Sequence, residues 1–230
     1  MPPTPCAYGL ASERRRPPVL YASGELTVLG RDGVGVVGSR DVAPEAAEVT
    51  RRVAHRVAAA GVPLVSGGAK GVDRISMGAA YEAGGAVVGV LADSLQAAIS
   101  RRDNREAMLD GRACLCTPYG PDARFTAGMA MGRNKIIYGL SSVTLVVASA
   151  DGEGGTWSGA VEALRRGYGR VAVWTGAGAG PGNGPLVKAG GLAIDQPEAI
   201  LDVERQPSDR RSTDAQMTLT FDGPDADRGG

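Results

Sequence analysis

Three glycine-rich stretches of this 230-residue chain carry residue types that hold an anion: Gly38-Ser39-Arg40, Ser66-Gly67-Gly68-Ala69-Lys70-Gly71 and Gly154-Gly155-Thr156. Glycine admits a ligand close to the backbone, and the N–H groups that open a helix favour negative charge. Arg40 and Lys70 add formal charge to two of these loops. All but three of the 25 basic residues are Arg, so Lys70, Lys135 and Lys188 are exceptions in this chain. Another cationic stretch is Gly132-Arg133-Asn134-Lys135, whose Asn is a poor mid-helix residue. If its helix points into the same crevice, Arg133 and Lys135 complete a basic pocket with Arg40 and Lys70; the alternative is a solvated helix face. Phe125, one of two Phe in the chain, lies on the preceding loop, where it either stacks on a base or anchors the loop by packing. Together these loops point to a phosphate-type ligand, against the simpler use of Gly for tight turns.

Other chemistries fit poorly. GVGVVG at 33–38 matches the dinucleotide string G-x-G-x-x-G, but Val34, Val36 and Val37 are themselves the strand that the string should follow. The acid expected about 20 residues further on is missing, because the next strand ends Val65-Ser66. No G-x-x-x-x-G-K-[ST] string of a P-loop occurs. The three Cys (Cys6, Cys114, Cys116) lack a disulfide framework, and Cys114 and Cys116 read as small buried hydrophobes on one side of a strand. The sole His, His55, falls mid-helix with no motif around it. No catalytic residue, metal or cofactor is expected.

The elements that would position these loops follow from hydrophobic patterning. PPVLY (17–21) and ELTVLG (25–30) look like short strands around an Ala-Ser-Gly turn. Apolar runs at 33–38, 63–66, 86–92, 113–117, 143–149 and 170–174 read as six buried strands. Between them the pattern predicts helices over 44–60, 72–82, about 94–110, about 129–140 and 156–167. In the first, Ala46, Val49, Val53, Val57 and Ala60 form an apolar stripe, and Glu48 stands four residues before Arg52. Near-continuous apolar strands alternating with helices predict an α/β fold of Rossmann-like, doubly wound type, with a mainly parallel sheet of about six strands and helices on both faces.

Composition agrees. An apolar fraction of 43% supports a core, and aromatics at 4% leave it to Ala, Val, Leu and Ile. Apolar runs such as VTLVVA at 143–148 are far below a membrane span. Without a cationic-then-apolar leader the expectation is a cytoplasmic protein with no membrane partner. Net charge is zero overall, made up of −3 in 202–230 and +3 in 1–201. Any anionic partner must therefore be held by a local cluster rather than a global field. Residues 1–16 read as a flexible arm, 17–201 as the folded domain and 202–230 as a disordered tail.

The residues between about 17 and 201 line up, in order, with a known family. PPVLYASGEL, VGVVGSR, SGGAKGVDRISMGAA, GRNKIIYGLS, GGTWSGA and NGPLVKAGGLAI resemble the Rossmann-like domain of the DNA-processing protein A (DprA/Smf) family. That resemblance implies single-stranded DNA binding in a basic pocket, without catalysis, and assistance to RecA on incoming DNA during natural transformation. It implies phosphate contacts from Arg40, with Gly38 and Ser39, and from the Ser66–Gly71 loop. Asp73 fits the family's Gly-hydrophobic-Asp step, where it organises the loop. Arg133 and Asn134 match the family's Arg-Asn pair, and Lys135 stands where Arg is usual. Met77 replaces the usual His, and Phe125 lies eight residues before Arg133, where the family has Phe-Pro directly before the pair. RecA and a second copy of the chain are implied as partners, with no residues assigned to either contact.

Two further readings stand beside this one. Gln216, Leu219 and Phe221 in QMTLTF resemble the Q-x-x-L-x-F peptide that docks on the DNA sliding clamp; the alternative is a strand packing back on the domain. The same sheet and loops also occur in nucleotide-sensing domains and in phosphoribohydrolases. The latter resemble P-G-G-x-G-T-x-x-E, whereas GEGGTWSGA places Ser158 and Gly159 near the position of that Glu, and the next acid is Glu162.

Overall fold

Runs of three to six residues, five of the eight containing Val, make the strands, and helices cover both faces of the sheet they form. The structure is a computed structural model describing Pro17 and residues 19–205. The strands are β1 (Tyr21–Gly24), β2 (Gly33–Val37), β3 (Leu64–Ser66), β4 (Val87–Val90), β5 (Ala113–Thr117), β6 (Ser141–Val146), β7 (Arg170–Trp174) and β8 (Leu192–Ile194). The helices are α1 (Leu26–Leu29), α2 (Pro44–Ala59), α3 (Val72–Glu82), α4 (Leu95–Ile99), α5 (Arg102–Leu109), α6 (Ala127–Gly139), α7 (Gly154–Arg166), α8 (Asn183–Lys188) and α9 (Ala199–Arg205).

One sheet has the order β1-β5-β4-β3-β2-β6-β7-β8. Every pairing is parallel except β1 with β5. From β2 the chain builds outward through β3, β4 and β5, then returns beside β2 as β6 and builds the other way. Strand order therefore reverses between β2 and β6, where an open α/β sheet has its ligand crevice. One face packs Val34, Val36, Leu64 and Leu145 against α2, α3 and α9. The other packs Val37, Val65, Cys114, Cys116 and Val146 against α6 and α7. Both thiols are buried, and burial pushes Cys114 up to about 11.

The doubly wound class read from the sequence is the observed one, with eight strands where about six were expected. The segment 25–30 is not a strand. The Glu25 carboxylate accepts the Thr27 N–H (3.0 Å) and starts the one-turn helix α1, while the expected turn Ala22–Gly24 lies inside β1. Pairing with β5 decides this, and Gly24 permits it: at φ 103° it lies where a Cβ would overlap the Ala113 carbonyl oxygen. The expected helix over 94–110 is two, the first capped by Ser94, whose Oγ accepts the Ala97 N–H. Ala60 is an exposed cap residue rather than part of the buried stripe. Glu48 pairs with Arg51 (3.5 Å), and Arg52 reaches Glu198 instead (3.6 Å). The helix α9 runs past residue 201 and buries Ile200, Leu201 and Val203. The arm 1–16 and the 216–221 peptide lie outside the described residues. Among the described residues no helix is long and apolar enough to cross a membrane.

Candidate nucleic-acid interface

The loops that leave β2 and β3 are in backbone contact. A Cβ on Gly38 would stand 2.6 Å from Val72 Cγ2, so glycine lets the end of β2 meet the start of α3. Gly71, at φ 92°, lies where a Cβ would overlap the Ser39 carbonyl oxygen, and the Val72 N–H donates to that oxygen (3.2 Å). The Ser39 N–H donates to Ala148 O (2.9 Å), and Ser39 Oγ accepts the Asp41 N–H (3.1 Å). Ser66 is wholly buried, its hydroxyl donating to Val36 O (2.7 Å). It joins two strands rather than facing a ligand.

Asp73 holds these loops from beneath. Its buried carboxylate accepts the N–H groups of Ala69, Gly67 and Gly38, one from the first loop and two from the second. Burial pushes its carboxyl up to about 6, against the pull of Arg133 and of those three N–H groups. Arg133 is itself 4% exposed and donates through Nη1 to Val90 O, while Nε has no partner. Burial lowers its guanidinium, and Asp73 and Asp93 hold it up. Gly67 leaves the space that this guanidinium fills, since a Cβ there would overlap it. Arg133 thus pins α6 to the end of β4.

On α6, the Asn134 amide donates to Gly155 O (3.0 Å), and Gly155 and Gly159 give α7 room to approach it. The Thr156 hydroxyl donates to Gly38 O (3.0 Å), closing the third glycine loop onto the first. Lys135 turns away, pairing with Glu162 of α7 at 3.2 Å. The Arg40 guanidinium carbon lies 5.2 Å from the centre of the Phe125 ring, which is 48% exposed.

These groups enclose a cleft of about 490 Å³ at the carboxyl ends of β2 and β6, with Gly38, Ser39, Arg40, Arg133 and Asn134 among its walls. Lys70 borders an adjoining groove with Arg40 and Gly71. Neither Lys135 nor Phe125 lines the cleft, and Gly68 faces another depression beside Leu91. Among the described residues Arg40 and Lys70 make no ion pair, so two of the four expected cations stand exposed and free of carboxylates.

Met131, Tyr138 and Glu153 are among the cleft residues that the sequence reading missed. Met131, Asn134 and Tyr138 are spaced three and four apart, one helix face, and that spacing was a usable signal. The Tyr138 hydroxyl is buried without a partner, and burial, with Asp73 nearby, pushes it well above the usual phenol range. Glu153 is the acid of the third loop and gives no sequence cue in a phosphate-type site.

A mostly parallel α/β sheet with three glycine loops meeting where strand order reverses defines the class of doubly wound, Rossmann-like domains. Within that class, the chain belongs to the DNA recombination-mediator protein A family, whose model matches residues 7–203. It is 32% identical to Protein Smf of Escherichia coli (strain K12) over 191 residues, 81% of this chain and 50% of that protein. The chain spans about half the length of the curated relatives it matches. Its fold is similar to that of DNA processing protein A from Streptococcus pneumoniae (TM-score 0.68, 25% identity, 80% of this chain and 65% of that one). It is similar too to DNA processing protein A from Helicobacter pylori (TM-score 0.70, 24% identity, 86% and 91%), a structure described for its single-stranded DNA binding mode.

Proposed function

We propose that the chain binds single-stranded DNA, without catalysing a reaction, through the cleft between the β2 and β6 ends. The observation that carries this reading is the pairing of a glycine-lined cleft with two exposed, unpaired cations, Arg40 and Lys70, beside it. Loops tied by Asp73 present a fixed backbone, so little ordering entropy is lost when phosphates bind. Membership of the family and the single-stranded DNA named for the Helicobacter pylori protein support the same ligand. Glu162, the first acid after the third loop, is occupied by Lys135, which supports binding without hydrolysis. Delivery of the bound strand to RecA, as a homodimer in the cytoplasm, is part of the proposal and rests on the family alone.

The salt dependence follows from the site. Four neutralised phosphates would give a log–log slope near −3 on a single strand. With Arg133 buried and Lys135 paired, Arg40 and Lys70 alone give a slope of about −1.4 for an oligonucleotide confined to this cleft and the adjoining groove. The test is a length series of oligothymidylates at two salt concentrations, against thymidine monophosphate and a duplex. Affinity that rises with length and exceeds that for duplex supports the reading. A mononucleotide that binds as well as the oligomers replaces it with a nucleotide sensor. RecA filament assembly on protein-coated single strands, with and without the chain, tests the delivery step; an unchanged rate refutes it.

A further inference from the structure

Arg40 borders both the main cleft and the adjoining groove that holds Lys70, and Arg74 borders both that groove and a further cleft between α3 and the α4–α5 corner. The three depressions are therefore neighbours in a row, joined at two arginines. The last has a volume of about 490 Å³, as large as the first. Its buried walls are apolar, with Met77, Leu91 and Ala98 each 6% exposed or less. Arg74 and Arg101 on its border are exposed and, among the described residues, make no ion pair. Arg102 is spent on Glu106 at 2.8 Å. Asp93 and Asp103 also line this cleft, so a phosphate is repelled from their part of it and held where Arg74 and Arg101 stand.

We propose that a single strand bound in the main cleft continues across Lys70 and Arg74 into this second cleft, where a base packs on the apolar floor and the flanking phosphates meet Arg74 and Arg101. The inference rests on the reading of the main cleft as a single-stranded DNA site, and extends it to a track of four exposed cations: Arg40, Lys70, Arg74 and Arg101. A base has an apolar face that suits Met77 and Leu91, and its edge donors suit the two carboxylates. A free inorganic anion would gain nothing from that floor.

The track makes binding length-dependent in two stages. A short oligothymidylate that fills the main cleft and reaches Lys70 in the adjoining groove has a salt slope of about −1.4, and one long enough to reach Arg101 has about −2.8. The experiment compares the parent chain with the Arg74→Ala/Arg101→Ala double variant across that length series at several salt concentrations. Arg105→Ala, on the exposed face of α5, serves as a charge control. The expected result is that the double variant keeps the short-oligomer affinity, loses the second-stage gain, and shows a slope of about −1.4 at every length, while Arg105→Ala matches the parent. Arg101→Glu should abolish the second stage alone. A double variant that binds long oligomers like the parent overturns the track and leaves the main-cleft reading standing. Equal weakening at all lengths, or equal weakening by Arg105→Ala, also overturns it, because the arginines would then act only through the general field. A parent chain that binds no oligomer overturns both.

Discussion

Replacing Asp73 by Asn removes a buried carboxyl that sits at about 6 instead of the ordinary 3.8. The shift is about two pH units, and at about 1.36 kcal/mol per unit it corresponds to about 3 kcal/mol. The sign is the reverse of that for a salt-bridged acid. Between pH of about 4 and about 6 the folded chain holds a proton that the unfolded chain has released, so this group's contribution to stability falls as pH rises through that window. Above about pH 6 its contribution is flat, and the carboxylate is kept charged at the expense of stability because Ala69, Gly67 and Gly38 donate to it. Asn does not titrate. It also turns an amide toward N–H donors, a pH-independent loss of about 1–3 kcal/mol. The informative quantity is therefore the pH profile and not the offset. Urea unfolding of parent and Asp73→Asn across a pH series should show the variant gaining about 3 kcal/mol relative to the parent from pH of about 4 to about 7. Parallel profiles would refute the reasoning. A variant that loses ground with rising pH would show that the three N–H groups outweigh burial and hold the carboxyl low.

Gly67→Ala puts a methyl where the Arg133 guanidinium lies and should cost about 1–3 kcal/mol in urea unfolding, with Arg133 displaced from Val90 O. Phe125→Ala should weaken oligothymidylate binding by about 1–3 kcal/mol, read by fluorescence anisotropy, if a base stacks on the ring. Its melting temperature should change little, since the ring is half exposed and an exposed contact with Arg40 is worth only about 0.5–1 kcal/mol. Lys135→Ala should leave the salt slope of binding unchanged, because Glu162 already neutralises that ammonium, whereas Lys70→Ala should flatten the slope by about 0.7. Calorimetric titration at several salt concentrations checks both.

Much of the sheet was legible because buried parallel strands are written as short apolar runs. ACLCT and RVAVW match β5 and β7 residue for residue, and Val72–Glu82 matches α3. The glycine loops were legible because Gly38, Gly67 and Gly71 each answer a steric demand that also marks a strand end. Failures came where a distant partner decides. TVL in 27–29 has strand-like residues, yet Glu25 caps it into a helix and β5 takes the residues before it. The three residues of β8 are too few to carry a period, and only pairing with β7 extends them. Four cations were read as one cluster, but helical geometry separates Lys135 from the cleft-facing stripe, and Glu162 on another helix then holds it. Arg133 looked like a surface cation because its burial depends on the empty side of Gly67, a fact of packing that sequence spacing does not encode.

The proposed function places the phosphates of a single strand in the cleft at the carboxyl ends of β2 and β6, beside the loop that follows β3. A structure of the chain with a bound oligothymidylate tests it most directly. Phosphate oxygens within hydrogen-bond reach of Arg40, Lys70 and the Gly38–Arg40 backbone are the predicted result. A strand lying along the β1 or β8 edge, with the glycine-lined cleft holding no phosphate, would contradict it.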